Sequence, residues 1–315
     1  MENFWNKTMM KSTKIIFFGN EQLATGVNND CIILPKLIEH GYDVRALVLS
    51  HSPVTSRKTI IPDIEAVAQK HGIQTFKPAK LTDIIDHLAS LQADIGILVA
   101  YGKFVPEQVI SIFPKGIINL HPSLLPLHRG PTPIESSILA GDTTTGISLM
   151  QLVKEMDAGP VFAQKTITIT NQQSKQEICN TLTNLGANLL IQLLPDILTD
   201  KIQPVEQEHS RATYDQKITK ADGIIDWGIP AEIIIRRIRA FKGWPGSRTK
   251  ISGYDVIITD AHVDFSDGKP GESYITKDKK LGIYAQNGSL TINELIVSGK
   301  AAMKSEDFIN GYLKK

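Results

Sequence analysis

Cysteine is nearly missing from this chain: Cys31 and Cys179 are the only two in 315 residues. Two thiols cannot build a disulfide framework or a cysteine-based zinc site, so a reducing, cytoplasmic setting is expected. Long apolar runs are also missing. None approaches the roughly 20 residues that a membrane-spanning helix needs, so no membrane partner is expected. The stretch Met1 to Lys14 holds Trp5 but neither an apolar signal core nor a small-residue cleavage site, and reads as a ragged leader before the first strand. Net charge is close to balance, at +1. What is present, 42% hydrophobic and 21% charged residues, matches a globular protein, and the length suits two domains. The small net charge is unevenly spread. From Arg211 to Lys315 there are 17 Lys and Arg against 13 Asp and Glu, whereas the remainder is mildly acidic. That imbalance is compatible with a polyanionic partner and is small enough to mean nothing.

The first two thirds alternate apolar β-type runs with helical stretches. Lys14 to Phe18, Val44 to Leu49, Ala93 to Val99 and Gly116 to Leu120 have the continuous apolar character of buried parallel strands. Pro62 opens a helical stretch from Ile61 to His71, and Pro106-Glu107 opens another that ends near Phe113. The order predicts an α/β fold with a Rossmann-like, mostly parallel sheet, whose ligands sit outside the carboxyl ends of the strands. No Gly-x-Gly-x-x-Gly follows Phe18, which speaks against a dinucleotide-binding dehydrogenase. Near Pro204 the pattern breaks, and Glu206 to Thr213 is polar and aperiodic, as a linker would be. Past it comes an amphipathic helix from Pro230. Short β-type runs follow at Ser247–Ile251, Tyr254–Ala261, Glu272–Thr276, Gly282–Ala285 and Leu290–Val297, with Asn287-Gly288 as a hairpin signal. This spacing predicts a small OB-like barrel. The expected organisation is residues 1–203 as the first domain, 204–213 as linker and 214–315 as the second domain.

The chemistry should lie in Gly116 to Pro133. An apolar strand brings Asn119 and His121 to its carboxyl end, two residues apart and so on one face. A loop with Pro122, Pro126, Pro131 and Pro133 follows and loses little freedom on binding. Asn supplies a neutral N–H donor, and His a donor or a shuttled proton, the groups that a developing oxyanion needs. Such a pair can equally serve backbone groups at a strand end. Asp157, in Glu155-Met-Asp-Ala-Gly-Pro160, follows the β-type run Gly146–Leu152 and precedes Val161–Thr170. It could orient His121, accept a proton, or cap its own turn.

The run Asn119-x-His121-x-Ser123-Leu-Leu-Pro126-x-x-Arg129-Gly130, with Met156-Asp157-x-Gly159-Pro160, resembles the formyltransferase family that uses 10-formyltetrahydrofolate. Ile225-Asp226-Trp227 and Ile238-Arg-Ala-Phe241-x-Gly-Trp244-Pro245-Gly246 are similar to the C-terminal domain of the family's tRNA-acting members, which its short purine-pathway members lack. The resemblance implies that Asn119, His121 and Asp157 are catalytic. It implies that Ser123, Leu124, Leu125 and Pro126 line the folate site and that backbone at Leu98, Ala100 and Gly102 meets the pterin. The implied donor is 10-formyltetrahydrofolate as cosubstrate, without a metal, and the implied acceptor is initiator methionyl-tRNA. Formylation of an amino sugar on a nucleotide and hydrolysis of the formyl-folate are the rival uses of the same site. A monomer is expected. Arg57 and Lys58, which the resemblance implies as tRNA contacts, stand in a loop that is long and basic in the family and short here. Ile234, Ile235, Ile238 and Phe241 form one apolar helix face, and Arg236, Arg237 and Arg239 lie off it. Arg237 and Arg239 are therefore expected to reach solvent and contact tRNA phosphate. The chain departs from the family after its first strand. Gly19-Asn20-Glu21 stands where Gly-Thr-Pro is usual, Thr25 to Asp30 adds loop, and Pro35 interrupts the expected first helix.

Overall fold

The computed structural model describes residues 13–28, 30–50 and 63–313. Arg57, Lys58 and the Pro62 helix start lie outside them. The first half is built from β1 (Lys14–Phe18), α1 (Ile33–Glu39), β2 (Asp43–Val48), α2 (Asp63–Lys70), β3 (Gln74–Phe76), α3 (Ile85–Ser90), β4 (Ile95–Leu98), α4 (Glu107–Ile110), β5 (Ile117–His121), α5 (Pro133–Ala140), β6 (Thr144–Gln151), β7 (Val161–Thr168) and α6 (Lys175–Leu198). Its seven strands form one sheet in the order β3-β2-β1-β4-β5-β6-β7. β1 to β5 are parallel, β6 pairs antiparallel with β5, and β7 pairs antiparallel with β6. The order reverses between β1 and β4, the switch point where such sheets open a crevice for a ligand.

Strand alternation divides the core. Ile15 and Phe17 of β1 enter one apolar cluster, and Ile16 and Phe18 the other. β5 does the same, with Ile118 and Leu120 in the first cluster and Ile117 in the second. Asn119 and His121 share the face of Ile117 and continue past the end of that apolar layer. The first cluster is covered largely by α6, a 24-residue helix. A capping box starts it, with Ser174 Oγ accepting from Glu177 N–H and the Glu177 carboxylate accepting from Ser174 N–H.

The unusual segment after β1 has a structural explanation. The buried Glu21 carboxylate accepts the backbone N–H of Ile32, Ile33 and Leu34, each at 2.8 Å. These are amides that the first turn of α1 cannot pair within itself. The next residue, Pro35, has no N–H to satisfy. It sits in the first turn, where proline is tolerated, so α1 is formed with Pro35 inside it rather than broken by it.

The second half contains α7 (Ala231–Phe241), β8 (Ser247–Ile251), β9 (Tyr254–Asp264), β10 (Ser273–Ile275), β11 (Leu281–Tyr284), β12 (Ser289–Val297), β13 (Ala302–Lys304) and α8 (Ser305–Phe308). The strands form an antiparallel sheet in the order β10-β11-β12-β9-β8, with β13 also on β12. Among the described residues β8 and β10 do not pair, so this OB-like sheet stays open on one side. α7 straddles both halves. Ala231, Ile234 and Ile238 enter the second core, and Ala240 and Phe241 enter the first.

Candidate active site

β4 and β5 lie side by side with Leu98 opposite Asn119, so the loops at their carboxyl ends emerge together. Asn119 and His121 are buried, and Asp157 reaches them from the loop between β6 and β7. Asp157 Oδ1 lies 3.5 Å from Asn119 Nδ2 and 3.7 Å from His121 Nδ1. Both contacts are long for hydrogen bonds, as is common at a reacting centre before substrate is bound. The other carboxylate oxygen, Oδ2, is fixed by the N–H of Gly130 at 2.8 Å. His121 Nε2 donates to the carbonyl of His128 at 2.8 Å. A carbonyl only accepts, so Nε2 carries the proton and Nδ1, toward Asp157, is the nitrogen that can gain or give one.

The Asp157 backbone is in the left-handed region, at φ 49°, and is held there by a residue of the segment read as linker. Gln207 Nε2 donates to the carbonyls of Asp157 (2.9 Å) and Gly159 (2.6 Å). Gln207 Oε1 accepts from Nε and Nη2 of Arg129, at 3.1 and 2.7 Å. Arg129 is itself buried, with Nη1 on the Tyr214 hydroxyl, Nη2 against His209 Nδ1, and the Tyr214 ring 5.5 Å from its guanidinium carbon. Gln207, Tyr214 and His209 are thus gathered about a buried guanidinium. Residues 204–213 are thus no loose tether. Val205 pairs with Val161, and Thr213 receives the N–H groups of His128 and Arg129. Within this polar, aperiodic stretch Gln207 and His209 serve the buried Arg129, whereas Glu208, Ser210 and Arg211 pair with one another at the surface. Arg129 was visible in its motif, but no sequence signal marked Gln207.

Two family models match the chain: "Formyl transferase" over residues 16–194 and "Formyl transferase, C-terminal domain" over residues 217–313. The chain belongs to the formyl transferase family. A methionyl-tRNA formyltransferase of Dictyoglomus thermophilum is 34% identical over 308 residues, 95% of this chain and 97% of the relative. One from Chloroflexus aurantiacus is 36% identical over 259 residues, 81% of this chain and 82% of the relative. Among solved structures, an N-formyltransferase of Helicobacter canadensis has a TM-score of 0.66 at 15% identity, covering 89% of this chain and 98% of that one. Aquifex aeolicus HypX with tetrahydrofolic acid has a TM-score of 0.64 at 19% identity, covering 95% of this chain. This formyl transferase spans about half of the HypX chain (47%), and at such identities the likeness is one of fold.

Within this formyl transferase, the residues expected at the folate differ in what they present. Ala100 and Gly102 have left-handed backbones, at φ 52° and 72°, and the space beside Gly102 Cα is open. Leu98 is buried at the strand end. Ser123 is wholly buried, with its hydroxyl on the Leu127 carbonyl at 2.6 Å. Leu125 is buried, its N–H on Ser148 Oγ and its carbonyl on Gln164 Nε2. These two side chains shape the loop from within, whereas Leu124 and Pro126 are half-buried. Exposed apolar side chains stand on the three loops around the trio: Phe104, Leu127 and Met156.

The arginines of α7 do not extend freely into solvent, as the helix pattern suggested. Arg236, Arg237 and Arg239 are half-buried. Arg239 Nη2 donates to the carbonyls of Thr170 (2.8 Å) and Gln173 (2.9 Å), and burial pulls its pKa below the usual arginine value. Arg236 reaches the Ala140 carbonyl. Arg237 lies over the Phe241 ring and reaches the Asp222 carbonyl. An apolar stripe shows where a helix meets one partner. It does not show that a second body covers the flanks.

Proposed function

We propose that this chain transfers the formyl group of 10-formyltetrahydrofolate to the amino group of initiator methionyl-tRNA. The observation that carries the reading is the convergence of Asn119 Nδ2 and His121 Nδ1 on a single oxygen of Asp157. The left-handed backbone at Ala100 and Gly102 and the apolar Phe104, Leu127 and Met156 suit a flat, partly apolar ligand beside that point. The bound folate supplies an activated formyl carbon. Asn119 offers an N–H to the formyl oxygen as it gains charge. His121 offers Nδ1–H when protonated. Asp157 Oδ1 is placed to take the proton that the attacking amine must lose, and a proton is returned to the folate nitrogen as its bond to the formyl carbon breaks. The fixed Oδ2–Gly130 contact keeps the carboxylate from turning away. Full-length relatives bearing the methionyl-tRNA formyltransferase name support the tRNA amine as acceptor. A neighbour of the same fold, solved with dTDP-3-aminofucose, makes an amino-sugar nucleotide the second candidate. The deciding assay offers formyl-labelled folate to charged initiator tRNA, to an amino-sugar nucleotide, and to buffer alone. Label on the tRNA supports the proposal. Label on the sugar, or release only as formate, replaces it.

A further inference from the structure

The loop after β5 contains a second histidine, outside the trio. We infer that His128 is a positioning residue: its imidazolium bridges Asp142 and Asp215 and thereby holds the carbonyl that fixes the proton on Nε2 of His121. His128 Nε2 lies 2.8 Å from Asp142 Oδ2, and its Nδ1 lies 3.1 Å from Asp215 Oδ1. Ionised carboxylate oxygens only accept, so both ring nitrogens donate and the ring is charged. Asp142 stands in the turn after α5, and Asp215 in the segment past residue 213, so the ring ties three stretches of chain together. The backbone of the same residue completes the device. Its N–H donates to Thr213 Oγ1 at 2.8 Å, and its carbonyl receives His121 Nε2 at 2.8 Å. Its φ of 57° is left-handed, a conformation that a non-glycine residue keeps only when its surroundings impose it.

The charged groups that face the ring are Asp142 and Asp215. The neighbouring Arg129 directs its guanidinium to Gln207, His209 and Tyr214 instead. The hydrogen bond that His128 donates to Asp215, then the one it donates to Asp142, with the charges of both carboxylates, outweigh burial and raise the His128 pKa. The bridge is therefore intact below this raised pKa and is lost as pH rises through it. A neutral ring turns a lone pair toward one carboxylate, and the His128 carbonyl is released. His121 then loses the acceptor that distinguishes its two nitrogens.

The kinetic part rests on the formyl-transfer reading, but the spectroscopic part does not. The experiment is nitrogen NMR of the histidines in the full-length protein across pH. It compares wild type, Asp215→Asn and His128→Gln, alongside kcat and KM for transfer. In wild type, His128 should be doubly protonated at neutral pH, and His121 should hold its proton on Nε2. Asp215→Asn, of nearly unchanged shape, should lower the His128 midpoint and move the alkaline limb of kcat the same way. His128→Gln should give a mixture of His121 tautomers and a roughly tenfold lower kcat, with KM within about twofold, a misplacement effect of ordinary size. A neutral His128 at pH 7 overturns the inference. So does a His121 tautomer and kcat profile unmoved in both variants. If wild type transfers formyl to no acceptor, the functional reading falls, and the tautomer measurement still decides the bridge. Should His128→Gln fail to fold, Asp215→Asn decides alone.

Discussion

Gly26 and Gly243 meet face to face across the junction of the two cores. A Cβ on Gly243 would lie 2.0 Å from the Gly26 carbonyl oxygen, and one on Gly26 would lie 2.5 Å from the Trp244 nitrogen. The added loop near Thr25 is thus the seat on which the Gly243-Trp244-Pro245 turn rests. Lys175 holds the seat from below, with Nζ on the Thr25 carbonyl at 2.6 Å and against the buried Glu135 at 3.4 Å. Trp244 packs on the first core. A motif that resemblance assigned to a tRNA-binding domain therefore has docking as a structural task.

Gly243→Ala should destabilise the protein by at least about 2 kcal/mol, through the left-handed backbone and the collision together. Gly253→Ala is the internal control, since Gly253 has a similar φ of 86° and open space beside it. The midpoints of denaturant unfolding give the comparison. Equal losses in the two variants would show that the contact with Gly26 contributes nothing.

Asn119→Ala, His121→Ala and Asp157→Ala should each lower turnover by at least roughly a hundredfold, the scale for losing an oxyanion donor or an acid/base group. Circular dichroism and melting should show a folded protein. Near-normal turnover in two of the three would remove the trio from the mechanism.

Gln207→Leu leaves the Arg129 guanidinium short of its main acceptor and the carbonyls of Asp157 and Gly159 without their donor. Unpaired buried groups of this kind cost on the order of 2–4 kcal/mol. Turnover at low temperature, where the variant is still folded, should also fall, because the left-handed Asp157 turn is no longer clamped. A variant that melts early yet turns over normally would make Gln207 purely structural.

Arg239→Ala separates docking from tRNA contact. The guanidinium already serves the carbonyls of Thr170 and Gln173, so its loss should lower the melting temperature. A phosphate contact would instead reveal itself as a flatter dependence of tRNA affinity on salt. The expected result is a lower melting temperature with an unchanged salt slope. An unchanged melting temperature with a flatter slope would restore the phosphate contact.

Much of the first sheet was legible because strands buried on both faces write themselves as continuous apolar runs, as at Ile15 to Phe18 and Ile117 to Leu120. Asn119 and His121 could be picked out because alternation puts both on one face at the end of such a run, but a strand-end pair can also serve backbone groups, and only the resemblance gave them a role. The three-residue strands Gln74–Phe76 and Ala302–Lys304 were not, since so few residues show no period. Gln207 and Asp215 were invisible for another reason. Their partners, Arg129 and His128, are 78 and 87 residues away in sequence, and nothing local distinguishes a glutamine or aspartate that fills a distant need. The half-burial of the α7 arginines was not legible, because a one-helix pattern cannot show a second neighbour.

Glu21 has a consequence for what this sheet can accept. In an open α/β sheet, the first turn after β1 is where the start of a helix greets phosphate, with free amides and a positive end. Here the chain has placed its own carboxylate on those amides, and the following proline removes the next one. The corner is plugged by an internal mimic of the anion, so a diphosphate has no welcome beside β1. The proposed formyl-transfer site lies on the other side of the crevice, over β4 and β5. Glu21 thus occupies the β1 side of the crevice with a carboxylate and leaves the β4–β5 side, where Asn119 and His121 lie.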